Sequence, residues 1–279
     1  MSTASRIPAP RVGPDYERFC SGVKTLTTID LSQYRRAQME RRLRTFARRS
    51  GHDGLDSYLA LLTRDAGARA AFLDHMTINV SELFRNPDRF LELEKEYVPA
   101  LLADSPARGL RVWSAGCSYG AEPYTLGMLL GEAAPRLSHD LVATDIDENI
   151  LARAREGVFS DQDLANVSPE RRGKWFEKRP DGGWRAVQEL RTAVRFSRLD
   201  LLADPYPATR DLILCRNVVI YFNDEAKERI YERFFQALRP GGVLFIGSTE
   251  RVNDSGRLDW ERPGAFFYRR PSRRTPRTV

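Results

Sequence analysis

Two stretches of the chain carry residue types suited to holding a nucleoside. Ser114-Ala115-Gly116-Cys117-Ser118-Tyr119-Gly120 closes an apolar run, LRVWSAG, and leads into a helix-like one, PYTLGMLLGEAA. Glycines in such a loop permit a tight turn and close approach of the backbone to a ligand. The spacing is not Gly-x-Gly-x-x-Gly, which disfavours a dinucleotide and its pyrophosphate. Glycine-rich strand-to-helix turns also occur for purely structural reasons, so the loop needs a second signal. Ala143-Thr144-Asp145-Ile146-Asp147 supplies it at the end of the next apolar run. An acid roughly 20–25 positions beyond such a loop is placed to accept hydrogen bonds from ribose hydroxyls. Asp147 is read as the N-cap of ENILARA, which leaves Asp145 for the ribose. S-adenosyl-L-methionine has a ribose but no pyrophosphate and suits both stretches.

The elements that must position these residues alternate. LRVWSAG, DLVATDID, DLILCRNV and GGVLFIGST read as strands. PYTLGMLLGEAA, ENILARAREG and DEAKERIYERFFQAL read as helices, the last stopping at Arg239-Pro240-Gly241-Gly242. Such alternation predicts an α/β fold, a doubly wound, mostly parallel sheet with helices on both faces. AFFYRR, directly after a strand, predicts an antiparallel hairpin at the sheet edge. The alternation breaks at about 158–194, where DGGWRAV marks a turn and a strand-like run. This is read as a small β-rich insertion, the alternative being a long loop with a helix at SPERRGKWF. Upstream, from Asp15 to Arg85, apolar residues recur at helical steps: Met39, Leu43, Phe46, then Leu55, Tyr58, Leu59, Leu62. The expected organisation is a disordered leader over 1–14, an all-helical domain over 15–86, a linker helix over 87–108, the α/β domain over 109–270 and a disordered tail over 271–279.

Bulk properties narrow the function classes. Hydrophobic residues at 42% and charged residues at 29% describe a soluble globular chain. No run approaches the roughly 18 apolar residues of a membrane span, and the leader lacks the apolar core of a secretory signal. Three irregularly spaced cysteines, Cys20, Cys117 and Cys215, argue against a disulfide framework and for a reducing, cytoplasmic setting. His52, His75 and His139 are scattered, so no metal is expected. A net charge of +6 and a pI of about 9.4 suggest an acidic partner.

Five stretches, in order, resemble the chemotaxis-receptor glutamate methyltransferases (CheR-type). They are Thr77-Ile78-Asn79-Val80-Ser81-Glu82-Leu83-Phe84-Arg85, Val112 to Tyr124 with its Glu122-Pro123-Tyr124, Ala143 to Asp147, Cys215-Arg216-Asn217-Val218-Val219-Ile220-Tyr221-Phe222, and Arg239-Pro240-Gly241-Gly242 with Leu244-Phe245-Ile246-Gly247. The resemblance covers about Asp15 to Arg270. It implies a class I methyltransferase-like fold that binds S-adenosyl-L-methionine, releases S-adenosyl-L-homocysteine and esterifies glutamates on cytoplasmic receptor domains for sensory adaptation. It implies cofactor contacts from Asn79, Ser81, Arg85, Glu122, Asp145, Arg216 and Asn217, with Tyr221 near the transferred methyl. Asp200-Leu201 stands where the family often has Asn-Leu at the adenine; ionised Asp can only accept hydrogen bonds. Ser81 replaces a common Thr and keeps the hydroxyl. Gly247-Ser248-Thr249-Glu250 lacks the His often found after its glycine and is given no role.

A glutamate carboxylate is already ionised at neutral pH, so this chemistry calls for alignment and partial desolvation rather than a general base. Arg85 could hold either the cofactor carboxylate or the incoming glutamate. On the Arg-rich run from Tyr34 to Arg49, Arg41, Arg44 and Arg48 share a helix face. In isolation this reads as a solvated face; the resemblance points it at acidic receptor helices. The inserted unit turns quickly through Asp181-Gly182-Gly183, so no dependence on a receptor C-terminal tail peptide is expected. Two other readings are a nucleic-acid methyltransferase and a non-catalytic cofactor-binding sensor. Cys215-Arg216-Asn217-Val218 occupies the place of the Asn/Asp-Pro-Pro-aromatic motif of the first, and the intact Arg216, Asn217 and Tyr221 argue against the second.

Overall fold

The computed structural model describes residues 14–76, 81–105, 107–252 and 258–272. The readings of a disordered leader and tail fall almost wholly outside these residues, although a helix already begins at Pro14. The chain divides into two units, Met1–Met76 with Tyr221–Ala226, and Thr77–Ile220 with Lys227–Val279.

In the first unit the described residues form helices α1 (Pro14–Thr27), α2 (Arg36–Arg49), α3 (Leu55–Arg64) and α4 (Ala66–Met76). Their apolar stripes meet in an aromatic core. Phe19 stacks on Tyr58 at 6.0 Å and meets Phe72 edge-on at 6.0 Å, while Phe46 stacks on His75 at 3.8 Å. Residues Tyr221–Ala226 belong here through backbone bonds: Arg35 N–H donates to the Tyr221 carbonyl (2.9 Å) and Asn223 N–H to the Gln33 carbonyl (2.8 Å).

The second unit is built on a sheet ordered β6-β2-β1-β7-β8-β9. Its strands are β1 (Arg111–Ala115), β2 (Asp140–Asp145), β6 (Val194–Arg198), β7 (Arg210–Cys215), β8 (Leu238–Ile246) and β9 (Phe267–Arg269). All pairings are parallel except β8 with β9. The alternation, the parallel sheet and the antiparallel edge agree with the sequence. Strand β6 did not stand out there, because its run VRFSR alternates with polar and charged residues at a sheet edge. The sheet grows from β1 towards β2 on one side and towards β7 on the other. This reversal leaves a crevice at the carboxyl ends of β1 and β7.

The helices expected to link two domains instead pack into this unit. Helix α5 (Pro87–Glu92) runs through a π turn at Leu93–Tyr97 into α6 (Val98–Ala103), and Phe90, Leu93, Tyr97, Val98 and Leu101 join its hydrophobic core. Helices α7 (Ala121–Ala133) and α8 (Glu148–Glu156) follow β1 and β2, and α11 (Asp224–Ala237) precedes β8. The insertion contains both features weighed for it. Strands β3 (Val158–Phe159), β4 (Phe176–Lys178) and β5 (Trp184–Ala186) form an antiparallel sheet ordered β3-β5-β4. Helices α9 (Pro169–Trp175) and α10 (Gln188–Thr192) accompany it.

Candidate functional site

The loop after β1 is held on the rim of β2. Gly116 and Cys117 N–H donate to the Thr144 carbonyl at 2.8 and 2.9 Å, and Ser118 N–H donates to Asp145 Oδ2 at 2.8 Å. Asp145 Oδ1 accepts from Asp147 N–H at 3.2 Å. Asp147 in turn caps α8, accepting from Asn149 and Ile150 N–H. The division of labour read from the sequence therefore holds for Asp147, while Asp145 also organises the loop. Burial raises the Asp145 carboxyl above its ordinary range, against the pull of its backbone donors. Gly116 adopts φ +77°, and a Cβ there would meet a Val218 methyl at 2.4 Å, so the loops after β1 and β7 touch where only glycine fits.

A buried charge pair lies between those loops. Glu122, in the first turn of α7, accepts from Ser114 Oγ at 2.7 Å and faces Arg216 Nη1 across 3.6 Å. The Arg216 side chain is 3% exposed and that of Glu122 12%. Arg216 Nη2 donates to the Arg85 carbonyl and to Asn86 Oδ1, both at 2.8 Å. Its guanidinium lies over the rings of Phe90 and Phe245, at 5.0 and 4.7 Å. Its Nε is buried without a hydrogen-bond partner. Burial pushes the Glu122 carboxyl up, opposed by the Arg216 charge. Burial also disfavours the charge on Arg216, with Glu122 opposing and the positive charge of Arg85 adding to the effect. The charges of Arg85, Glu122 and Glu250 all act on the buried Arg216 guanidinium. Asn86, which holds Arg216 from a left-handed φ of 60°, was not legible in the sequence as a site residue.

Asp200 and Leu201 lie just beyond β6, whose exit is tied to β2 by Leu199 N–H donating to the Asp145 carbonyl at 2.9 Å. Asp200 Oδ1 accepts from Leu202 N–H at 2.8 Å, so part of its carboxylate is committed to its own turn. Leu201 is buried, and its carbonyl accepts from Tyr206 and Arg233. Tyr119 Oη lies within hydrogen-bonding reach of two acceptors for its single proton, the Ser81 carbonyl and Asp163 Oδ1 at 2.9 Å. Asn79 lies outside the described residues. Tyr221 groups with the helical unit rather than with the unit carrying Glu122, Asp145 and Arg216.

On α2, Arg41 and Arg48 are exposed. Arg44 departs from the expected free basic face: it bonds Asp15 at 2.8 and 2.9 Å and Glu40 at 3.0 and 2.7 Å. Among the described residues, no group of three or more His, Cys, Asp or Glu could hold a metal ion.

Residues 79–262 match the family model described as the CheR methyltransferase SAM-binding domain, and residues 14–77 match the CheR methyltransferase all-alpha domain. This chain belongs to the CheR methyltransferase family. A chemotaxis protein methyltransferase of Listeria monocytogenes is 38% identical over 259 residues, 93% of this chain and 98% of that one. A probable chemotaxis protein methyltransferase of Rhizobium etli is 34% identical, with 86% of this chain and 94% of the relative covered. Chemotaxis protein methyltransferase 1 of Pseudomonas aeruginosa is 32% identical, with 86% and 91% covered. This CheR-family chain is an S-adenosyl-L-methionine-dependent methyltransferase. Its residues fit that cofactor. The orphaned buried Nε of Arg216, with Arg85 nearby, suits an amino-acid carboxylate, and the Asp145 carboxylate at the β2 rim suits a ribose.

Proposed function

We propose that this enzyme esterifies glutamate side chains on the cytoplasmic domains of methyl-accepting chemotaxis receptors. The observation that carries the reading is the buried Glu122–Arg216 pair with Arg85, joining the segments after β1 and β7 where the sheet order reverses. On this reading Asp145 accepts from the ribose, Glu122, Arg216, Asn217 and Ser81 hold the amino-acid end, Asp200-Leu201 borders the adenine, and the family resemblance adds Asn79 as a cofactor contact. Arg85 pairs with a carboxylate, and Tyr221 lies near the methyl. S-adenosyl-L-methionine, when bound, supplies an electrophilic methyl group on a sulfonium.

The protein's own part is alignment and desolvation of a nucleophile that is already anionic. The described residues suit a site without a general base. His139 is spent on the backbone, accepting from Leu110 N–H at 3.1 Å. Burial holds the Cys117 and Cys215 thiols well above their ordinary range, hence neutral.

Exposed Arg41 and Arg48 support docking on acidic receptor helices, with Arg44 stabilising the face from within. The receptor tail is not required on this reading. The outer strand β4 offers only the three residues Phe176–Lys178 before the Arg179–Gly183 turn, a short edge for an added peptide strand. No helix among the described residues is long and apolar enough to cross a membrane, and cytoplasmic receptor domains place the enzyme in the cytoplasm. Incubation with radiolabelled S-adenosyl-L-methionine and receptors from the same organism tests the proposal. A base-labile label on the receptor band is the expected result; a base-stable label, or label on nucleic acid alone, refutes it.

A further inference from the structure

Glu250 occupies the loop after β8 and is 3% exposed. Its carboxylate accepts four backbone N–H bonds from two loops. Gly247 (2.6 Å) and Asn217 (3.0 Å) donate to Oε2, while Val218 (3.1 Å) and Val219 (3.0 Å) donate to Oε1. The convergence of three successive N–H groups has a local cause. Asn217 sits at φ 60°, and a left-handed residue in a turn aims neighbouring amides at one point, making an anion-binding nest. Glu250 fills that nest from within the chain. The two loops meet at their closest approach, since a Cβ on Gly247 would lie 2.6 Å from Glu250 Oε2 and 2.9 Å from Asn217 N. The clasped segment is the one that carries Arg216 and Asn217. The Glu250 charge also acts on Arg216 directly, favouring the guanidinium that burial disfavours.

We propose that Glu250 is a positioning residue for cofactor binding: its carboxylate clasps the Asn217–Val219 turn and thereby presents Arg216 and Asn217 to the crevice. The inference rests on the reading that these two residues face S-adenosyl-L-methionine. Charge-assisted bonds to backbone N–H groups are stronger than neutral ones, and a left-handed non-glycine residue needs such support from its surroundings. Without the carboxylate the turn relaxes, and Arg216 leaves the place where it meets Glu122. Glu250→Gln keeps the size but turns an NH2 group towards two of the four donors. Gly247→Ala presses a methyl group into the same carboxylate from the other loop.

The test measures S-adenosyl-L-homocysteine affinity by calorimetry on the full-length wild type, E250Q and G247A, alongside circular dichroism and thermal melting. Both variants should bind about 10- to 100-fold more weakly while folded, as expected for loss of a charged hydrogen-bond set. The receptor KM at saturating cofactor should stay near that of the wild type. E250D, which keeps the charge on a shorter arm, should recover part of the affinity. A purely structural role would lower the melting temperature yet leave the folded fraction with wild-type affinity, and that result overturns the proposal. Wild-type protein carries a second arm. Amide exchange at Asn217–Val219 should be slow without ligand, and fast exchange there also overturns the clasp. A wild type that binds no S-adenosyl-L-homocysteine would instead refute the proposed function, so the two failures are distinguishable.

Discussion

The Glu122–Arg216 pair makes a demand that can be measured on the free enzyme. Glu122→Gln retains an oxygen for the Ser114 hydroxyl and nearly the same volume, and removes only the charge facing Arg216. At 3.6 Å the contact is too long to count as a good hydrogen bond, so its worth is electrostatic. An effective dielectric constant of about 20 gives roughly 4–5 kcal/mol of attraction at that separation. Relief of the Glu122 desolvation offsets most of this attraction, because burial outweighs the Arg216 pull on that carboxyl, so E122Q should shift stability by no more than about 1 kcal/mol. The partner variant Arg216→Met should behave differently. An arginine cannot shed its charge, whereas Glu122, already pushed above its ordinary 4.5, can take up a proton. A carboxyl with a raised folded pKa imposes a cost that is complete above that pKa and disappears as the pH falls through it towards the unfolded value. R216M should therefore be about 1–3 kcal/mol less stable than wild type at pH 8, and closer to wild type at pH 5.5. Urea denaturation of wild type, both single variants and the double variant at the two pH values gives the coupling, expected at about 2–3 kcal/mol at pH 8. A coupling below about 0.5 kcal/mol, or an R216M penalty indifferent to pH, would refute the reasoning.

Other expectations follow from the same geometry. Asp145→Ala should weaken S-adenosyl-L-methionine binding by on the order of 1.5–3 kcal/mol. It should also lower the melting temperature, since Ser118 and Asp147 N–H lose their acceptor; unchanged affinity in calorimetry would count against the ribose assignment. His139 accepts at Nδ1 from Leu110 N–H, so its proton resides on Nε2, which lies 3.3 Å from the Ala134 carbonyl. Burial lowers its pKa below the ordinary 6.5. Its stabilising contribution is present above 6.5 and fades as the pH falls through the depressed value. Thermal melts between pH 7.5 and 5 should show wild type losing more stability than His139→Gln, and parallel curves would contradict this. Arg41→Glu with Arg48→Glu should raise the receptor KM and flatten its salt dependence with cofactor affinity unchanged. Wild-type rates at limiting receptor would reduce these residues to a solvated face. The single-turnover rate at saturating cofactor should be nearly flat between about pH 6.5 and 8.5, and a steep single-ionisation rise would reveal a missed base.

Much of this protein is local in origin and so was legible in the chain. Periodicity marked the helical region, because an amphipathic stripe is written every three or four residues. The alternation of apolar runs and helices required a parallel sheet. The Gly116–Gly120 turn and Asp145 announced themselves through spacing along consecutive elements. Strand β6 was lost because an edge strand need bury only one face, and VRFSR gives little pattern to detect. The helices at 87–103 looked like a linker because their apolar residues do not reveal what they pack against. Tertiary structure alone decided the partners of charges far apart in sequence. Glu122 and Arg216 are 94 positions apart and Asn217 and Glu250 are 33 apart, and only the parallel order β1-β7-β8 brings their loops to one rim. Whether Arg44 is a docking charge or an internal brace likewise depended on where Asp15 of another helix came to lie. A charge becomes a site or a strut according to what burial leaves beside it, and burial is a property of the folded chain.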